Sequence, residues 1–248
     1  MPLSAAIITR NAAAQLERCL ESVAFAEEIV VVDSGSTDGT LELAARRGAR
    51  VIQKEWLGFG AQKQFAVEAA SHDWVLCVDA DERVSQELRE QITEEIKAPR
   101  GFVYAMPRRN RFLGRWLKHG EGYPDWSVRL FHRAHARWSG ELVHEKVMTR
   151  SPVLRLPGDL LHDSAETLEK YLDKQNRYTS LQAESMRAAG RRANALHLVL
   201  SPLLRFIKFY LLRLGFLDGV PGLVHIAIGC MNSFNKYAKL KALERTAE

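Results

Sequence analysis

Apolar residues in the first hundred positions fall into short continuous runs that alternate with longer amphipathic segments. The runs predict buried β-strands at residues 4–9, 28–33, 50–53 and 74–78. The segments between them carry apolar residues at helical spacing and predict helices over residues 13–23, 40–45 and 58–70. Strands and helices that alternate at this spacing predict βαβ units, and therefore a mostly parallel sheet with helices on both faces.

The pattern changes after residue 100. Further strands are predicted at 101–107, 127–132 and 142–149, and a long amphipathic helix at 166–189. The apolar segment 196–217 is interrupted by Arg205, Lys208 and Arg213, which on a helix fall within about 140° of one another. Because a spanning helix carries few charges, one basic and one apolar face predict a helix that lies in a membrane interface. The alternative is a buried helix pair that closes the domain.

Acidic residues follow two of the predicted strands. Asp33 and Asp79 end their strands, and Asp81 comes two residues later. Ligands of open α/β sheets bind beyond the carboxyl ends of strands, so we expect these side chains to line one crevice. Alternate residues of an extended chain face the same side, and a divalent metal that also binds phosphate would relieve the repulsion between Asp79 and Asp81. The alternative is a solvated acidic loop that caps the next predicted helix, at 85–97.

The composition is that of an ordinary globular protein, with 46% hydrophobic and 26% charged residues among 248. The three cysteines are scattered and show no C-x-x-C spacing. We therefore predict that Cys19 and Cys77 are buried thiols in a reducing compartment, and not parts of a disulfide framework or zinc cluster. Residues 2–4 lead directly into the first strand, so we expect no secretory signal.

Charge is distributed unevenly along the chain. Residues 1–99 hold 10 of the 35 Lys and Arg and 17 of the 30 Asp and Glu residues, a net charge of −7, which leaves +12 on residues 100–248. This asymmetry indicates a basic surface that meets an anionic partner, such as a phosphorylated lipid, a nucleic acid or an acidic glycan. No helix-turn-helix or RNP motif appears, so a non-catalytic nucleic-acid-binding protein is a remote alternative.

Several familiar catalytic and nucleotide-binding motifs are absent from the sequence. No G-x-G-x-x-G follows the first strand, the loop at 35–40 lacks the G-K-[ST] ending of a P-loop, and no G-x-S-x-G occurs. The features that remain for a functional site are the acids at strand ends and a predicted metal, with few candidate nucleophiles. Such a site suits a nucleotide diphosphate, because the metal acts as a Lewis acid on the leaving phosphate.

Four motifs occur together in the first half: I-I-T-R-N at 7–11, V-V-V-D-S-G-S-T-D-G-T at 30–40, G-F-G-A-Q-K-Q at 58–64 and V-D-A-D-E at 78–82. They resemble the nucleotide-sugar half of family 2 glycosyltransferases, which have the GT-A fold. The later motifs G-Y-P-D-W-S-V-R-L-F at 122–131 and V-H-E at 143–145 resemble the glucosyltransferases that build the lipopolysaccharide core. The resemblance implies an α/β, GT-A-type, mostly parallel sheet. It divides the chain into a nucleotide-sugar-binding half (1–99), an acceptor-binding half (100–163) and a C-terminal helical, membrane-associating segment (164–248).

The resemblance also implies roles in binding the nucleotide sugar. Thr9 and Asn11 are expected to border the base, and Asp33 to hold the uracil. Lys63 is expected near the base or the diphosphate, and Asp79 near the ribose and the metal. The alternatives are turn chemistry for the first two residues, a helix-capping acid for Asp33 and a solvated helix face for Lys63.

A metal and a base complete the site that the resemblance implies. Asp81, Asp79 and His144 are expected to ligate Mg²⁺ or Mn²⁺, although a histidine at 144 is also compatible with plain packing. An inverting transfer needs a carboxylate that takes the proton of the acceptor hydroxyl. Asp125 is the first candidate for this base and Glu145 the second.

Basic residues of the second half are expected to hold the anionic acceptor or the membrane, since arginine suits bidentate contacts with phosphate. They are Arg108, Arg109, Arg111, Arg115, Lys118, Arg129, Arg205, Lys208 and Arg213. For the residues up to 129, the alternative is a solvated loop that merely adds charge. The sequence thus favours a metal-dependent inverting enzyme, peripheral on the cytoplasmic face of the inner membrane. It would transfer glucose from UDP-glucose to the lipopolysaccharide inner core. A polyprenyl-phosphate sugar transferase with the same fold is the close alternative.

Overall fold

A computed structural model describes residues 1–140, 145–163 and 167–245. The chain forms two compact units, Met1–Arg108 with Asp125–Asp163, and Arg109–Pro124 with Ser164–Glu248. The strands are β1 (Leu3–Thr9), β2 (Glu28–Asp33), β3 (Arg50–Gln53), β4 (Trp74–Asp79), β5 (Glu82–Val84), β6 (Val103–Phe112), β7 (Arg115–Trp116), β8 (Asp125–His132), β9 (Ala136–Trp138), β10 (Val147–Thr149), β11 (Val153–Arg155) and β12 (Leu160–His162). The helices are α1 (Ala13–Ser22), α2 (Thr40–Arg46), α3 (Phe59–Ala69), α4 (Gln86–Lys97), α5 (Leu168–Ala188), α6 (Ala195–Phe206) and α7 (Gly219–Arg245).

The first unit is built on one large sheet with the order β3-β2-β1-β4-β8-β6-β12-β5. Its first four strands are parallel, as the alternation of strands and helices predicts. Strand β8 then pairs antiparallel with β4 and with β6, and β12 pairs antiparallel with β5. Strands β9 and β10 form a separate antiparallel pair.

Both faces of the parallel strands are covered, because successive residues of each buried strand point to opposite sides. One face carries Ile7, Val31 and Leu76 in a core that includes apolar residues of α1 and α4. The other carries neighbouring strand residues, such as Ile8 and Val75, against α3. Helices therefore lie on both faces of the sheet, as predicted.

The register of the parallel strands brings their carboxyl ends to one edge of the sheet. Thr9 lies opposite Asp33 in the pair of β1 and β2, and Ile8 lies opposite Asp79 in the pair of β1 and β4. The acidic residues that end β2 and β4 therefore flank the end of β1. This edge is where an open α/β sheet binds ligands.

Helix α4 begins at a serine cap and packs closely on a glycine. Ser85 Oγ accepts a hydrogen bond from the Leu88 backbone N–H, which satisfies one of the free donors of the first turn. A Cβ on Gly158 would lie 2.6 Å from the Leu88 Cα and from the Leu88 backbone nitrogen. Glycine is therefore required at 158 for the chain to pass this close to the helix.

The second unit is mainly helical and also holds the end of β6 and strand β7. Helices α5 and α7 share a small core with Ala183, Ala193 and Leu240 at its centre. The segment Ala195–Leu212 has a mean hydropathy of 1.5 and none of it is buried, so by length and composition it is long and apolar enough to cross a membrane.

The apolar segment predicted at 196–217 is not one regular helix. Helix α6 contains Pro202 and gives way to π-helical turns at Ile207–Leu212, followed by a 3₁₀ turn at Gly215–Asp218. Leu214, between the two, has a left-handed φ of 54°. The angles expected for an ideal helix therefore do not apply beyond Phe206.

The buried carboxylate of Asp218 binds the main chain of the loop at Lys118 and His119, which belongs to the same unit. Asp218 is 1% exposed and accepts the backbone N–H groups of Lys118 and His119 at 3.0 and 2.8 Å. The His119 ring nitrogen Nδ1 lies 3.2 Å from the same carboxylate. Asp218 thus fixes the loop by hydrogen bonds to its main chain.

Candidate functional site

The loop after β2 is shaped by the carboxylate of Asp33. Its Oδ1 accepts the backbone N–H groups of Gly35 (2.9 Å) and Ser36 (2.8 Å), while the Ser36 hydroxyl donates to Oδ2. Gly35 has a φ of +88°, which glycine adopts without strain. Asp33 is fully buried. Its hydrogen bonds hold a tight loop at the carboxyl edge.

Asn11 connects the end of β1 to the same loop. Its backbone N–H donates to Ser36 Oγ at 2.8 Å, and its Oδ1 accepts the Thr37 backbone N–H at 2.8 Å. Asn11 has a φ of 50°, a conformation that asparagine tolerates better than most residues. Just before it, Thr9 Oγ1 is buried and finds no hydrogen-bond partner among the described residues. The edge therefore holds one unsatisfied polar group beside an ordered loop.

Two cations hold the carboxylate of Asp79. Lys63 Nζ lies 3.1 Å from Oδ1, and Arg129 Nη2 donates to Oδ2 at 2.9 Å. Burial opposes ionisation of Asp79, but the attraction of Arg129 and Lys63 outweighs it and holds the pKa of this carboxyl below its usual range. Both cations also lie over the ring of Trp138, at 4.8 Å (Lys63 Nζ) and 5.7 Å (Arg129 Cζ) from its centroid.

The guanidinium of Arg129 also binds a second carboxylate, that of Glu82, which is fully buried. Arg129, itself 4% exposed, donates to Glu82 Oε1 at 2.7 Å, and the Asp79 backbone N–H donates to Glu82 Oε2 at 3.0 Å. Arg108 Nη1 lies 3.8 Å from Glu82, and Arg108 also donates from Nε to Asp125 Oδ2 at 2.9 Å. Asp125, whose side chain is 39% exposed, is thus held by Arg108 at the surface end of a charge network.

The candidate base Glu145 lies at the other end of this network. Its Oε1 is 3.4 Å from Lys63 Nζ, so Lys63 stands between Asp79 and Glu145. The network therefore runs through alternating charges in the order Asp125, Arg108, Glu82, Arg129, Asp79, Lys63 and Glu145.

Asp81 faces a different partner from Asp79. Its Oδ2 lies 3.2 Å from His162 Nε2, at the end of β12, and its backbone oxygen accepts the Asp163 N–H at 3.0 Å. The Asp81 side chain is 36% exposed, so it is open to a ligand. The structure therefore separates the two aspartates of the D-x-D motif, one in a buried ion-pair network and one beside an imidazole.

The donor set at Asp81 fits a divalent metal. A carboxylate oxygen and an imidazole nitrogen are acceptable ligands for Mn²⁺, and Mg²⁺ commonly takes one or two carboxylates, with phosphates and waters in the other positions. Within residues 1–140, 145–163 and 167–245, no group of three or more His, Cys, Asp or Glu side chains forms a metal site by itself. The third predicted ligand, His144, lies outside the described residues. Asp79 is already engaged by two cations.

The basic residues predicted for the acceptor are placed in different surroundings. Arg129 is buried against carboxylates, and Arg108 holds Asp125. In the second unit, Arg109 is half-buried, and Arg111 is exposed with its guanidinium 6.0 Å from the Trp116 ring centroid. A contact between any of them and an acceptor remains a prediction.

The three basic residues of the apolar segment also differ. Arg205 donates from Nε to Glu121 Oε2 at 3.0 Å, and Arg213 donates to the Tyr123 backbone oxygen at 3.2 Å. Lys208 is exposed, with its Nζ 5.2 Å from the Phe209 ring centroid. Of the three, Lys208 is the residue presented to solvent.

Sequence reasoning missed two residues of this edge. His162 lies 81 positions after Asp81 on a three-residue strand that gives no periodic signal. Glu82 stands beside the D-x-D motif and was visible only as a third acid in that segment. Its role as the buried partner of Arg129 depends on the pairing of β8 with β4, which no local pattern reveals.

Comparison with known protein families gives a match over more than half of the chain. Residues 4–155 match the model of glycosyl transferase family 2. Over 97% of its length the chain is 32% identical to the lipopolysaccharide core biosynthesis glycosyltransferase LpsC of Rhizobium meliloti (strain 1021), of which the match covers 92%. It is 30% identical over 97% of its length to the uncharacterized glycosyltransferase RP128 of Rickettsia prowazekii (strain Madrid E), of which the match covers 87%.

Solved structures show the same architecture. The crystal structure of S. aureus TarS 1-349 in complex with UDP-GlcNAc aligns with a TM-score of 0.52 and 16% identity, over 100% of this chain and 93% of that chain. The complex of the same protein with UDP gives a TM-score of 0.51 and 18% identity, over 100% of this chain and 92% of that chain. At these identities the likeness concerns the fold alone. The predicted GT-A fold class is confirmed.

Proposed function

The chain belongs to glycosyl transferase family 2 and is a glycosyltransferase, and we propose that it moves glucose from UDP-glucose onto the inner core of lipopolysaccharide. The observation that carries the proposal is the arrangement at the carboxyl edge. There an unsatisfied Thr9 hydroxyl and the Asp33 loop lie at the ends of β1 and β2, and Asp81, two residues beyond β4, lies 3.2 Å from His162 of β12. The name of the Rhizobium meliloti relative supports the lipopolysaccharide acceptor.

The donor would bind across the ends of β1, β2 and β4. Thr9 and Asn11 would border the base, and the loop held by Asp33 would position the uracil. Lys63 would lie near the diphosphate, and Asp79 near the ribose. The buried Thr9 Oγ1 supports this placement, because a buried hydroxyl without a partner gains a hydrogen bond when a polar ligand arrives. The fold shared with a UDP-GlcNAc complex supports a nucleotide-sugar donor.

Asp81 and His162 would hold Mg²⁺ or Mn²⁺ at this edge, and Asp79 and His144 remain proposed as further ligands. When bound, the metal supplies positive charge to the leaving diphosphate. Lys63 and Arg129 would keep Asp79 ionised and fixed in place. They thereby preserve the geometry of the segment that carries Asp81.

A carboxylate of the first unit would accept the proton of the attacking acceptor hydroxyl, and the transfer would invert the anomeric carbon. Asp125 is the first candidate, because its carboxylate is held by Arg108 and remains partly exposed. Glu145, less exposed and 3.4 Å from Lys63, is the second.

The basic residues of the second half, Arg108, Arg109, Arg111 and Arg129 among them, would meet the phosphates of the anionic glycolipid. The C-terminal segment 164–248 would place the enzyme at the cytoplasmic face of the inner membrane. The exposed apolar residues of α6 support a peripheral position, since a contiguous exposed apolar surface marks a membrane or protein contact. Lys208 would attract the anionic leaflet.

The proposal is tested by the release of UDP from a panel of UDP-sugars with Mg²⁺ or Mn²⁺ and a heptosylated core acceptor. We expect UDP-glucose to be preferred, and we expect Asp81→Asn and His162→Ala each to lower turnover by roughly 10²-fold or more. Asp73→Asn, at an exposed aspartate paired with Arg133, is the matched control. Unchanged turnover in the Asp81 variant would rule out its metal role. Preference for undecaprenyl phosphate as acceptor would favour the polyprenyl-phosphate alternative.

The identity of the base is tested in the same assay. We expect Asp125→Asn to lower kcat by roughly 10²–10⁴-fold with little change in the KM for the donor, because general base catalysis contributes about this much. Glu145→Gln should have a smaller effect on kcat. The reverse order would assign the base to Glu145.

A further inference from the structure

The second unit contains a polar cavity of about 140 Å³ between its helices. Its walls come from α5, α6, α7 and the loop that carries Glu121. Six of the side chains that line it are Tyr178, Gln182, Arg205, His225, Asn232 and Lys236. Hydrogen-bond donors dominate this set, in a unit whose outer surface is strongly apolar.

The guanidinium of Arg205 is held firmly at this cavity. It donates through Nε and Nη2 to the two oxygens of Glu121, and through Nη1 to Ser233 Oγ at 3.2 Å. The pair passes close to the backbone of α7 at Gly229, where a Cβ would lie 2.9 Å from Arg205 Nε and would overlap the Glu121 carboxylate. Glycine within a helix costs stability, so its presence here makes room for the ion pair.

Positive charge at the cavity exceeds negative charge. Among the described lining residues, Glu121 is the carboxylate, and it is already bound by Arg205. Lys236 has no hydrogen-bond or ion-pair partner among the described residues, and burial followed by repulsion from Arg205 lowers its pKa. The same two causes lower the pKa of His225 to about 4, so its ring is neutral at pH 7. His225 Nδ1 is buried without a partner in the part of the chain that the structure describes.

We propose that this cavity binds a phosphomonoester carried by a membrane lipid. Lys236 Nζ, a remaining N–H of Arg205 and His225 Nδ1–H would donate to its three oxygens, which are strong acceptors. Helix α6 indicates that the phosphate belongs to a lipid. This helix supplies Arg205 and also presents Leu200, Leu203 and Leu204 on the outside of the unit. A headgroup in the cavity thereby leaves its acyl chains beside an exposed apolar surface. The inference goes beyond the proposed transfer reaction and does not depend on it.

The test is co-sedimentation of the full chain with vesicles of phosphatidylcholine that contain either phosphatidic acid or phosphatidylglycerol, matched for surface charge. We expect several-fold tighter binding to phosphatidic acid, which exposes a monoester. Lys236→Gln should abolish this preference. Lys241→Gln, which removes an equal charge from the same helix at an exposed ion pair with Glu244, should keep it.

A second variant separates the cavity from net charge. Gly229→Ala leaves the charge unchanged and favours the helix, but it displaces Arg205 and Glu121, so it should also reduce the preference for phosphatidic acid. Equal losses in the Lys236 and Lys241 variants, or no preference in the wild type, would overturn the proposal. Binding of inorganic phosphate in solution with the same dependence on Lys236, without a preference among vesicles, would overturn the lipid source. UDP release by all variants is measured separately and reports only on the transfer reaction.

Discussion

The buried carboxylate of Glu82 shows how single residues determine this site. It is fully enclosed, and Arg129 and the Asp79 backbone N–H both bind it. An unpaired buried charge costs several kcal/mol, so Glu82 and Arg129 have to be present together. The consequence is a rigid segment on which Asp81 remains exposed to a ligand.

A half-buried carboxylate, that of Glu28, makes the stability of the first unit depend on pH. Burial opposes ionisation of Glu28, but hydrogen bonds from Ser4, from the backbone and side chain of Ser71, and from Arg50 outweigh it and lower its pKa from 4.5 to about 2. A depressed pKa in the folded state contributes stability that is present above pH 4.5 and is lost as the pH falls toward 2.

We therefore expect Glu28→Gln to lower the free energy of unfolding at pH 7, by about 1–3 kcal/mol. The difference from the wild type should shrink as the pH falls from 4.5 to 2. Urea denaturation at a series of pH values measures this. Glu94→Gln, at a glutamate whose side chain is 77% exposed, is the control and should show no such trend. A pH-independent difference for the Glu28 variant would contradict the assignment.

At the scale of elements, the contact between Gly158 and helix α4 limits what the chain accepts. Gly158→Ala should lower the free energy of unfolding by about 1–3 kcal/mol, because the new methyl group meets the Leu88 backbone and not a movable side-chain end. Thermal or urea denaturation measures the loss. Gly140→Ala, where a Cβ has no heavy atom within 4 Å, should stay within about 0.5 kcal/mol of the wild type. Equal stability of the two variants would show that α4 can move away.

An element could be predicted from the sequence where its own residues form a recognisable pattern of apolar and polar positions. The runs that end in Asp33 and Asp79 are continuous and apolar, so β2 and β4 and the edge at which they end follow from the sequence. Strands β5, β11 and β12 have three residues each, too few for a periodic pattern, and β12 carries His162. The partners of Arg129 follow from antiparallel pairing between distant strands, which composition and spacing do not encode.

At the scale of the whole molecule, the helical unit presents an exposed apolar surface of unusual size. Between residues 196 and 223, the large apolar side chains that are at least 36% exposed are Leu196, Val199, Leu200, Leu203, Leu204, Ile207, Leu211, Leu212, Leu214, Phe216, Leu217, Val220 and Leu223. A soluble monomer rarely shows so many together. The lipid interface that we propose would account for this surface and for the exposed Lys208 beside it.

We therefore expect the double variant Leu203→Glu with Leu204→Glu to move the protein from the membrane fraction to the supernatant. The fall in vesicle partition should be at least about tenfold, since each leucine contributes about 1.5–3 kcal/mol when buried. Met148→Glu, which changes an exposed apolar residue of the first unit, is the control and should not alter partition. Release of the wild type by 0.5 M salt alone would contradict an apolar anchor.

The alternating ions from Asp125 to Glu145 form a row of seven, with four acids and three bases. Such a row cannot be neutral by itself, and an incoming cation is the natural complement of its surplus charge. Lys63 and Arg108 share no direct contact, yet each holds an acid that Arg129 also holds. Replacing Lys63 or Arg108 therefore changes the charge that Arg129 has to neutralise at the other carboxylate. The changes in stability and activity caused by paired substitutions along this row should not simply add.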